Sequence, residues 1–360
     1  MIEQYTITTT PKYNFPQPST DTTLPQRLME LSVQSLRQVQ NQSIQLQQAP
    51  FQQTINIEPP TPNLQLKQTP IMLKPAYQET TIAAVDTSTI KIGETTKGII
   101  IAIRGATTWK QNHRYHYTRI GPFIFHITED NKKEVYNTIE ATYFHTSYPS
   151  NSQTAPPLMQ MPTRLANLLE RWLQAMTAKS TSNSLILFDG SLTSGIHDTP
   201  AQRLREILST ARKNRNTVLA FSKMTNLRIN GFLITDIMPE HEPPYLLETT
   251  ELQFKPPTVM LGDIYVARLN RAKIAFRLDI DREIPRQQQT LAVEKLIGND
   301  IYTQNYPETL RLAHILCTFT ANEVLAMQHF VTHKHGIRII NRPDMHRLLF
   351  GPFGKGEGLA

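Results

Sequence analysis

Cysteine is all but missing from this chain of 360 residues: Cys317 is the single one, which excludes an internal disulfide and any zinc cluster built on several thiolates. A reducing compartment follows, and Cys317, lying in an apolar run, is expected to be a small core residue. No uninterrupted apolar stretch approaches the roughly twenty residues that a membrane span needs. No basic region followed by an apolar one opens the chain. A cytoplasmic protein with no membrane partner is therefore expected. There is no GxxxxGK[ST], so any motor must be another chain. The glycine-rich Gly351-Pro352-Phe353-Gly354-Lys355-Gly356 resembles a phosphate loop only superficially, because no strand leads into it; a flexible tail over 346–360 is expected. There is no HExxH either. His329 and His333 have the spacing at which helical histidines share a metal, but no Glu follows His329 and Lys334 would oppose a cation, which leaves surface histidines with His335 beside them.

Charge is only mildly one-sided, 37 Lys+Arg against 30 Asp+Glu, for a net +7. An anionic partner is favoured. Residues 1–80 hold no glycine but ten prolines and fifteen glutamines, the composition of an arm or linker. Within it Leu24, Leu28, Leu31, Leu36 and Val39 recur near helical spacing, predicting an amphipathic helix over Pro25 to Gln48. Such a helix either packs on its own domain or meets a partner.

From Thr81 short apolar runs replace the arm: Ile82 to Val85, Gly98 to Ala106 and Gly121 to Ile127, three successive strands. Leu165, Leu168, Leu169, Trp172, Leu173 and Met176 then recur at three and four, as an amphipathic helix requires. A buried strand, Ser184 to Asp189, a second helix, Pro200 to Asn214, and the run Val218 to Phe221 follow. The order βββ-α-β-α-β predicts an antiparallel meander extended by two parallel strands, an α/β mixed sheet with an RNase H-like core at about 81–222. Strands at Thr258 to Ala267 and Lys273 to Asp279, and helices from Gln287, Pro307 and Ala321, read as C-terminal elaborations completing a domain over 81–345. No internal repeat is present.

Two strands end on carboxylates. Asp86 follows Ile82-Ala83-Ala84-Val85, and Asp189 follows Leu185-Ile186-Leu187-Phe188. A carboxylate ending a buried strand is costly unless paired or bound to a cation, and sites in such sheets gather at strand ends. With the fourth strand beside the first, the two would reach one ion. The competing reading of each is a turn cap, Asp189 through Asp-Gly. Glu170 lies among Leu169, Trp172 and Leu173. Alone it reads as an exposed glutamate beside Arg171; with the Asp pair it becomes a third carboxylate. Oxygen donors suit Mg²⁺ or Mn²⁺, and an added imidazole favours Mn²⁺ over Ca²⁺. Two such ions about 4 Å apart activate a water and stabilise the leaving oxygen of an in-line phosphoryl displacement. His314 supplies an imidazole in the helix that follows Tyr306-Pro307, although a lone helical His is ordinarily a core or surface residue.

Many basic residues follow the core. Arg203, Arg205, Arg212, Lys213 and Arg215 read as a solvated face, with Arg228, Arg271, Lys273 and Arg277 scattered after them. Lys223 differs, because it follows the strand ending at Phe221-Ser222 on the carboxylate edge, where a phosphate contact is expected. Tyr265 and Arg268, on a later strand, are candidates to line DNA.

Ala84-Val85-Asp86-Thr87-Ser88, Leu187-Phe188-Asp189-Gly190-Ser191-Leu192 and Tyr306-Pro307 followed by His314 together resemble the NurA nuclease family, partner of the HerA ATPase in DNA-end processing. The resemblance covers about Thr81 to Ile340. It implies that Asp86, Glu170, Asp189 and His314 are metal-site residues binding Mn²⁺ or Mg²⁺, that Tyr306 contacts the site or the scissile phosphate, and that Ser88 meets the nucleic acid. It further implies single-stranded DNA cleavage and 5′ to 3′ degradation by a homodimer working with a HerA-like hexameric ATPase. Thr87 stands where the family commonly has Gly, and the helix of Glu170 carries little motif. Two rivals remain: a catalytically silent DNA-binding or ATPase-clamping subunit, and an RNase of the same fold.

Overall fold

In the computed structural model, residues 23–37, 66–67, 69–144, 155–194, 200–229, 232–239, 241–249, 258–272, 274–300, 302–303 and 306–339 are described. The expected tail over 346–360 and the phosphate-loop-like glycines lie outside them, as does Val39. Nine strands form one sheet: β1 (Ile71–Met72), β2 (Ile82–Glu94), β3 (Gly98–Gln111), β4 (Arg114–Thr128), β5 (Leu185–Asp189), β6 (Thr217–Ser222), β7 (Tyr245–Glu248), β8 (Gly262–Arg268) and β9 (Phe276–Asp281). Among the described residues seven α-helices accompany them: α1 (Thr23–Arg37), α2 (Lys132–Phe144), α3 (Met161–Ser180), α4 (Ala201–Lys213), α5 (Arg286–Asn299), α6 (Glu308–Cys317) and α7 (Ala321–His335).

The spatial order is β1-β7-β8-β9-β6-β5-β2-β3-β4. Strands β2, β3 and β4 form the antiparallel meander, β5 pairs parallel with β2, and β6 pairs parallel with β5. This is the RNase H-like core, with the fourth strand beside the first. The meander strands run longer than their apolar runs. β3 and β4 continue to a turn at Asn112 and His113, whose φ of 49° and 58° suit a two-residue hairpin. Polar and aromatic residues such as Tyr115, His116 and Tyr117 carry β4 there, which apolar runs do not reveal. Beyond β6 the later strands do not form a separate layer. β9, β8, β7 and β1 add antiparallel to the same sheet. Described residues just before 81 thus join this fold, through β1 and a bridge from Leu66 to Thr249.

Both faces of the sheet are covered. Alternate residues of β2, β5 and β6, namely Ile82, Ala84, Leu185, Leu187, Leu219 and Phe221, meet Val293, Leu296, Leu310 and Ala313 of α5 and α6. The others, Val85, Ile186, Phe188, Val218 and Ala220, meet Leu173 of α3 and Leu204, Ile207 and Leu208 of α4. Because both faces are buried, these strands read as continuous apolar runs. α1 packs on its own domain: Leu24, Leu28 and Leu31 enter a cluster with β3, β4, α2 and α3, while Leu36 enters another with α7. Burying each leucine contributes about 2 kcal/mol. α2 was not foreseen; only Val135, Tyr136, Ile139 and Tyr143 anchor it among polar residues. Among the described residues no helix is long and apolar enough to cross a membrane.

Candidate active site

Register places the carboxylates. Val85 of β2 is paired in parallel with Phe188 of β5, so Asp86 and Asp189, the next residues, stand side by side where that pairing stops; Asp189 ends β5 as expected, but Asp86 does not end its strand, because β2 continues against β3 to Glu94. Asp189 in turn pairs with Phe221 of β6, and Lys223 lies two residues beyond. Three parallel strands therefore deliver two carboxylates and an ammonium to one edge. The Lys223 Nζ is 2.7 Å from Asp189 Oδ2 and 4.0 Å from Asp86 Oδ2. It stands where a cation shared by the two carboxylates would stand. Lys223 was expected to meet phosphate; here it is held by acids.

Asp86 is 5% exposed. Its Oδ1 accepts from the Thr87 amide at 2.7 Å, and its Oδ2 meets His314 Nδ1 at 2.7 Å. Burial, then the Asp189 charge, raises the Asp86 carboxyl above its ordinary range, while His314 and Lys223 pull the other way. His314 arrives from α6, whose first turn is pinned: the Thr309 amide donates to Asp300 Oδ2 at 3.1 Å, Tyr115 donates to Asp300 Oδ1 at 2.9 Å, and Thr108 donates to the Thr309 carbonyl at 2.7 Å. The imidazole is 47% exposed, so the site opens to solvent on that side.

Glu170 comes from α3, on the other face, and reaches β2 at Thr87, beside Asp86. Its carboxylate accepts from Gln174 Nε2 at 2.9 Å and lies 3.4 Å from Thr87 Oγ1. Arg171, the neighbour of an ordinary exposed glutamate, instead bonds Gln174 Oε1 at 2.7 Å. Burial pushes Glu170 up to about 7; Arg171 lowers it, and the charges of Asp86 and Asp189 raise it further. The structure thus brings Asp86, His314 and, through Lys223, Asp189 together on one face, while Glu170 meets Thr87 on the other; among the described residues the group of three potential ligands within 4.8 Å includes neither Asp189 nor Glu170.

The segment after Asp189 is braced from the sheet's extension. Gly190, at φ 100°, takes a conformation that favours glycine, and its amide donates to the Phe221 carbonyl at 2.8 Å. Ser222 donates to the Gly190 carbonyl at 2.8 Å, and the Leu192 amide donates to Asp279 Oδ2 at 2.9 Å. Asp279 is fully buried and held by Arg277 through two bonds of 2.7 Å. Neither Asp279 nor this use of Arg277 was legible in the sequence, because the pair lies far along the chain from the site it supports.

Tyr306 is 8% exposed, edge-on to Phe221 and Phe276, with Lys223 Nζ 5.7 Å from its ring centre. Its hydroxyl has no hydrogen-bond partner, and burial, then Asp189 and Asp86, raises its pKa. Cys317, expected in the core, is fully buried, but it also borders the site: one carboxylate oxygen of Asp86, one ring nitrogen of His314 and the Cys317 sulfur lie within 4.8 Å of one another. Burial, then Asp86, pushes its thiol up. Ser88 lies on the same face of β2 as Asp86 and is half-buried.

Other expected contacts fall elsewhere. Tyr265 is a core residue, its hydroxyl donating to Gln289 Oε1 at 2.6 Å, so it does not present a face on which DNA would lie. Arg268 ends β8 on the same sheet edge but bonds the Ala272 carbonyl at 3.4 Å and does not touch the carboxylates. Arg203 and Arg212 pair with Glu206, Asp281 and Glu283. His329 and His333 stack at 4.0 Å on α7, and His335 is buried.

No protein-family model and no curated protein matches the chain. Among solved structures it is similar to the NurA nuclease from Sulfolobus solfataricus, with a TM-score of 0.42 and 16% identity over 75% of this chain and 88% of that one. It is also similar to endonuclease V from Bacillus subtilis, with a TM-score of 0.32 and 15% identity over 74% and 89% of the two chains. A third similarity is to the Argonaute of Kluyveromyces polysporus crystallised with a guide RNA, with a TM-score of 0.28 and 11% identity over 66% and 26%.

Proposed function

We propose that this chain is a metal-dependent nuclease whose cations are held by Asp86, Asp189, Glu170 and His314. The observation that carries the proposal is the side-by-side placement of Asp86 and Asp189 just past the last parallel pair of β2 and β5, with an ammonium already between them. The donors fit a divalent cation. Asp86 is too buried to hold its charge cheaply, three acids oppose one another, and oxygen donors with one imidazole suit Mn²⁺ or Mg²⁺. Bound there, one or two such ions would supply Lewis-acid polarisation and neutralise charge developing on a phosphoryl group.

The protein's own part is positioning. Asp86 and Asp189 are fixed by sheet register, and His314 by the pinned first turn of α6. Glu170 is able to exchange a proton near neutral pH, the range a general base needs. Once a cation takes its place, Lys223 is free to turn its ammonium to a phosphate. Tyr306, with an unpaired hydroxyl beside the acids, is placed to donate a hydrogen bond to substrate or water.

Following the sequence resemblance, we infer single-stranded DNA cleavage and 5′ to 3′ degradation of DNA ends by a homodimer working with a HerA-like hexameric ATPase. Incubating the protein with end-labelled single- and double-stranded DNA and RNA, under Mn²⁺, Mg²⁺ or EDTA, beside Asp86→Ala and Asp189→Ala, tests this. Unchanged cutting in both variants would overturn the site; cutting of RNA alone would favour the RNase alternative. One observation favours a catalytically silent subunit: the Lys223 to Asp189 ion pair can serve as a permanent substitute for the cation. Absence of cutting under every condition would support it.

A further inference from the structure

Cys317 has no role in the chemistry so far, yet it is the chain's single cysteine and lies against the site. It stands three residues after His314 on α6, with its thiol donating to the His314 carbonyl at 3.2 Å. That spacing puts both side chains on one helix face, and here the face is turned to Asp86. Among the described residues, Asp86, His314 and Cys317 are the group of three potential ligands whose donor atoms lie within 4.8 Å of one another. A tetrahedral ion with bonds of about 2.0–2.3 Å spaces its donors by about 3.3–3.8 Å. Closing the remaining distance takes about an ångström, within the reach of side-chain rotation.

The donor chemistry differs from that of the carboxylates. Oxygen donors suit hard cations, whereas sulfur and imidazole select softer ones. One carboxylate, one imidazole and one thiolate leave a fourth position open, the arrangement of an accessible zinc site rather than a closed structural one. Tyr306 gives an independent sign of an occupant. Tyr306 is more than nine-tenths buried, feels the charges of Asp189 and Asp86 and carries Lys223 against its ring, yet its hydroxyl has no partner, a situation that is costly unless a polar species binds there.

We propose that Asp86, His314 and Cys317 form a second binding mode of this site, selective for a borderline transition-metal cation such as Zn²⁺ or Co²⁺, which takes Asp86 from the hard cations. The Cys317 S–H gives its proton to solvent as the sulfur–metal bond forms, and neutral His314 donates its lone pair; no electron is transferred. Silencing of hydrolysis by Zn²⁺ would rest on the nuclease reading, whereas the binding itself does not.

Titration of the full chain with Co²⁺, without added thiols, tests this, because any thiolate-to-cobalt charge-transfer band must come from Cys317. The band is expected to grow to one equivalent, to vanish in Cys317→Ser, and to be bleached by Zn²⁺ but not by excess Mg²⁺. Even outer-shell partners of metal ligands are worth about 10–100-fold in affinity, so His314→Ala should bind Co²⁺ at least about 10-fold more weakly. Absence of the band in the unmodified protein, or displacement by Mg²⁺ as readily as by Zn²⁺, would overturn the proposal, and neither outcome depends on folding of a variant. If the protein cuts nucleic acid with Mg²⁺, Zn²⁺ should inhibit it, and the inhibition should follow the same Zn²⁺ concentrations that bleach the cobalt band. A band without cleavage would remove the nuclease reading and leave the binding mode standing.

Discussion

Replacing Glu170 with Gln should stabilise the metal-free protein, increasingly as pH rises from about 4.5 to about 7. Burial and the neighbouring acids push Glu170 up from 4.5 to about 7, so the folded chain favours the protonated form. The stability this contributes is fully present below the unfolded value near 4.5 and is lost as pH rises through about 7. At about 1.36 kcal/mol for each pH unit separating the folded value from the unfolded one, the loss reaches about 3 kcal/mol by pH 8. Since the side chain keeps some contact with water, about 1–3 kcal/mol is the range to expect. Glutamine cannot ionise and escapes the loss while retaining a carbonyl to accept from Gln174. Urea denaturation with EDTA at pH 4, 6 and 8 reads the difference. The variant should match the wild type at pH 4 and exceed it at pH 8, with Mn²⁺ restoring the wild type by binding its acids. A difference that does not vary with pH, or a Glu170→Gln protein less stable at pH 8, would refute the idea that opposed charges are stored around Asp86 and Thr87.

Asp86→Asn should lower the cleavage rate more than about 100-fold, beyond the range expected for an outer-shell residue, with an unchanged circular dichroism spectrum; initial rates on end-labelled DNA decide this. Arg277→Met strands the fully buried Asp279 charge and should cost about 3–5 kcal/mol; a loss under about 1 kcal/mol in urea denaturation would show that the brace behind Asp189 is dispensable. Lys223→Met should lose no more than about 1 kcal/mol of metal-free stability, yet gain more in thermal midpoint on adding Mn²⁺ than the wild type, because no ammonium then has to leave the Asp189 carboxylate. An equal gain in both proteins would count against Lys223 as a stand-in for the cation.

The sequence made the two aspartates legible because β2 and β5 are buried on both faces, so each appears as an unbroken apolar run ending abruptly in a carboxylate. Topology then followed from the alternation of strands and helices. The same double burial hid the facing of β8: Asp263, Tyr265 and Ala267 alternate with Ile264 and Val266, and with both faces covered no pattern tells which one Tyr265 takes. α2 escaped notice because two of its four anchoring residues are tyrosines separated by polar positions. Cys317 illustrates a different limit. Burial was correctly expected, but a buried residue next to a site looks in sequence like any other buried residue, and only its spacing from His314 hinted at more. The brace from Arg277 through Asp279 to Leu192 joins segments 87 residues apart, which no local pattern reports.

The Asp86 to His314 contact spans 228 residues of chain. At about 5–20 residues per second, a ribosome takes roughly 10–45 s to cover that interval. Throughout it the growing polypeptide carries Asp86 without its imidazole, and α6 cannot dock until β3 and β4 are in place to receive its first turn. Completion of the site thus waits for all 228 residues of that interval and for the docking of α6, so Asp86 acquires its imidazole only after the sheet that carries it has been made.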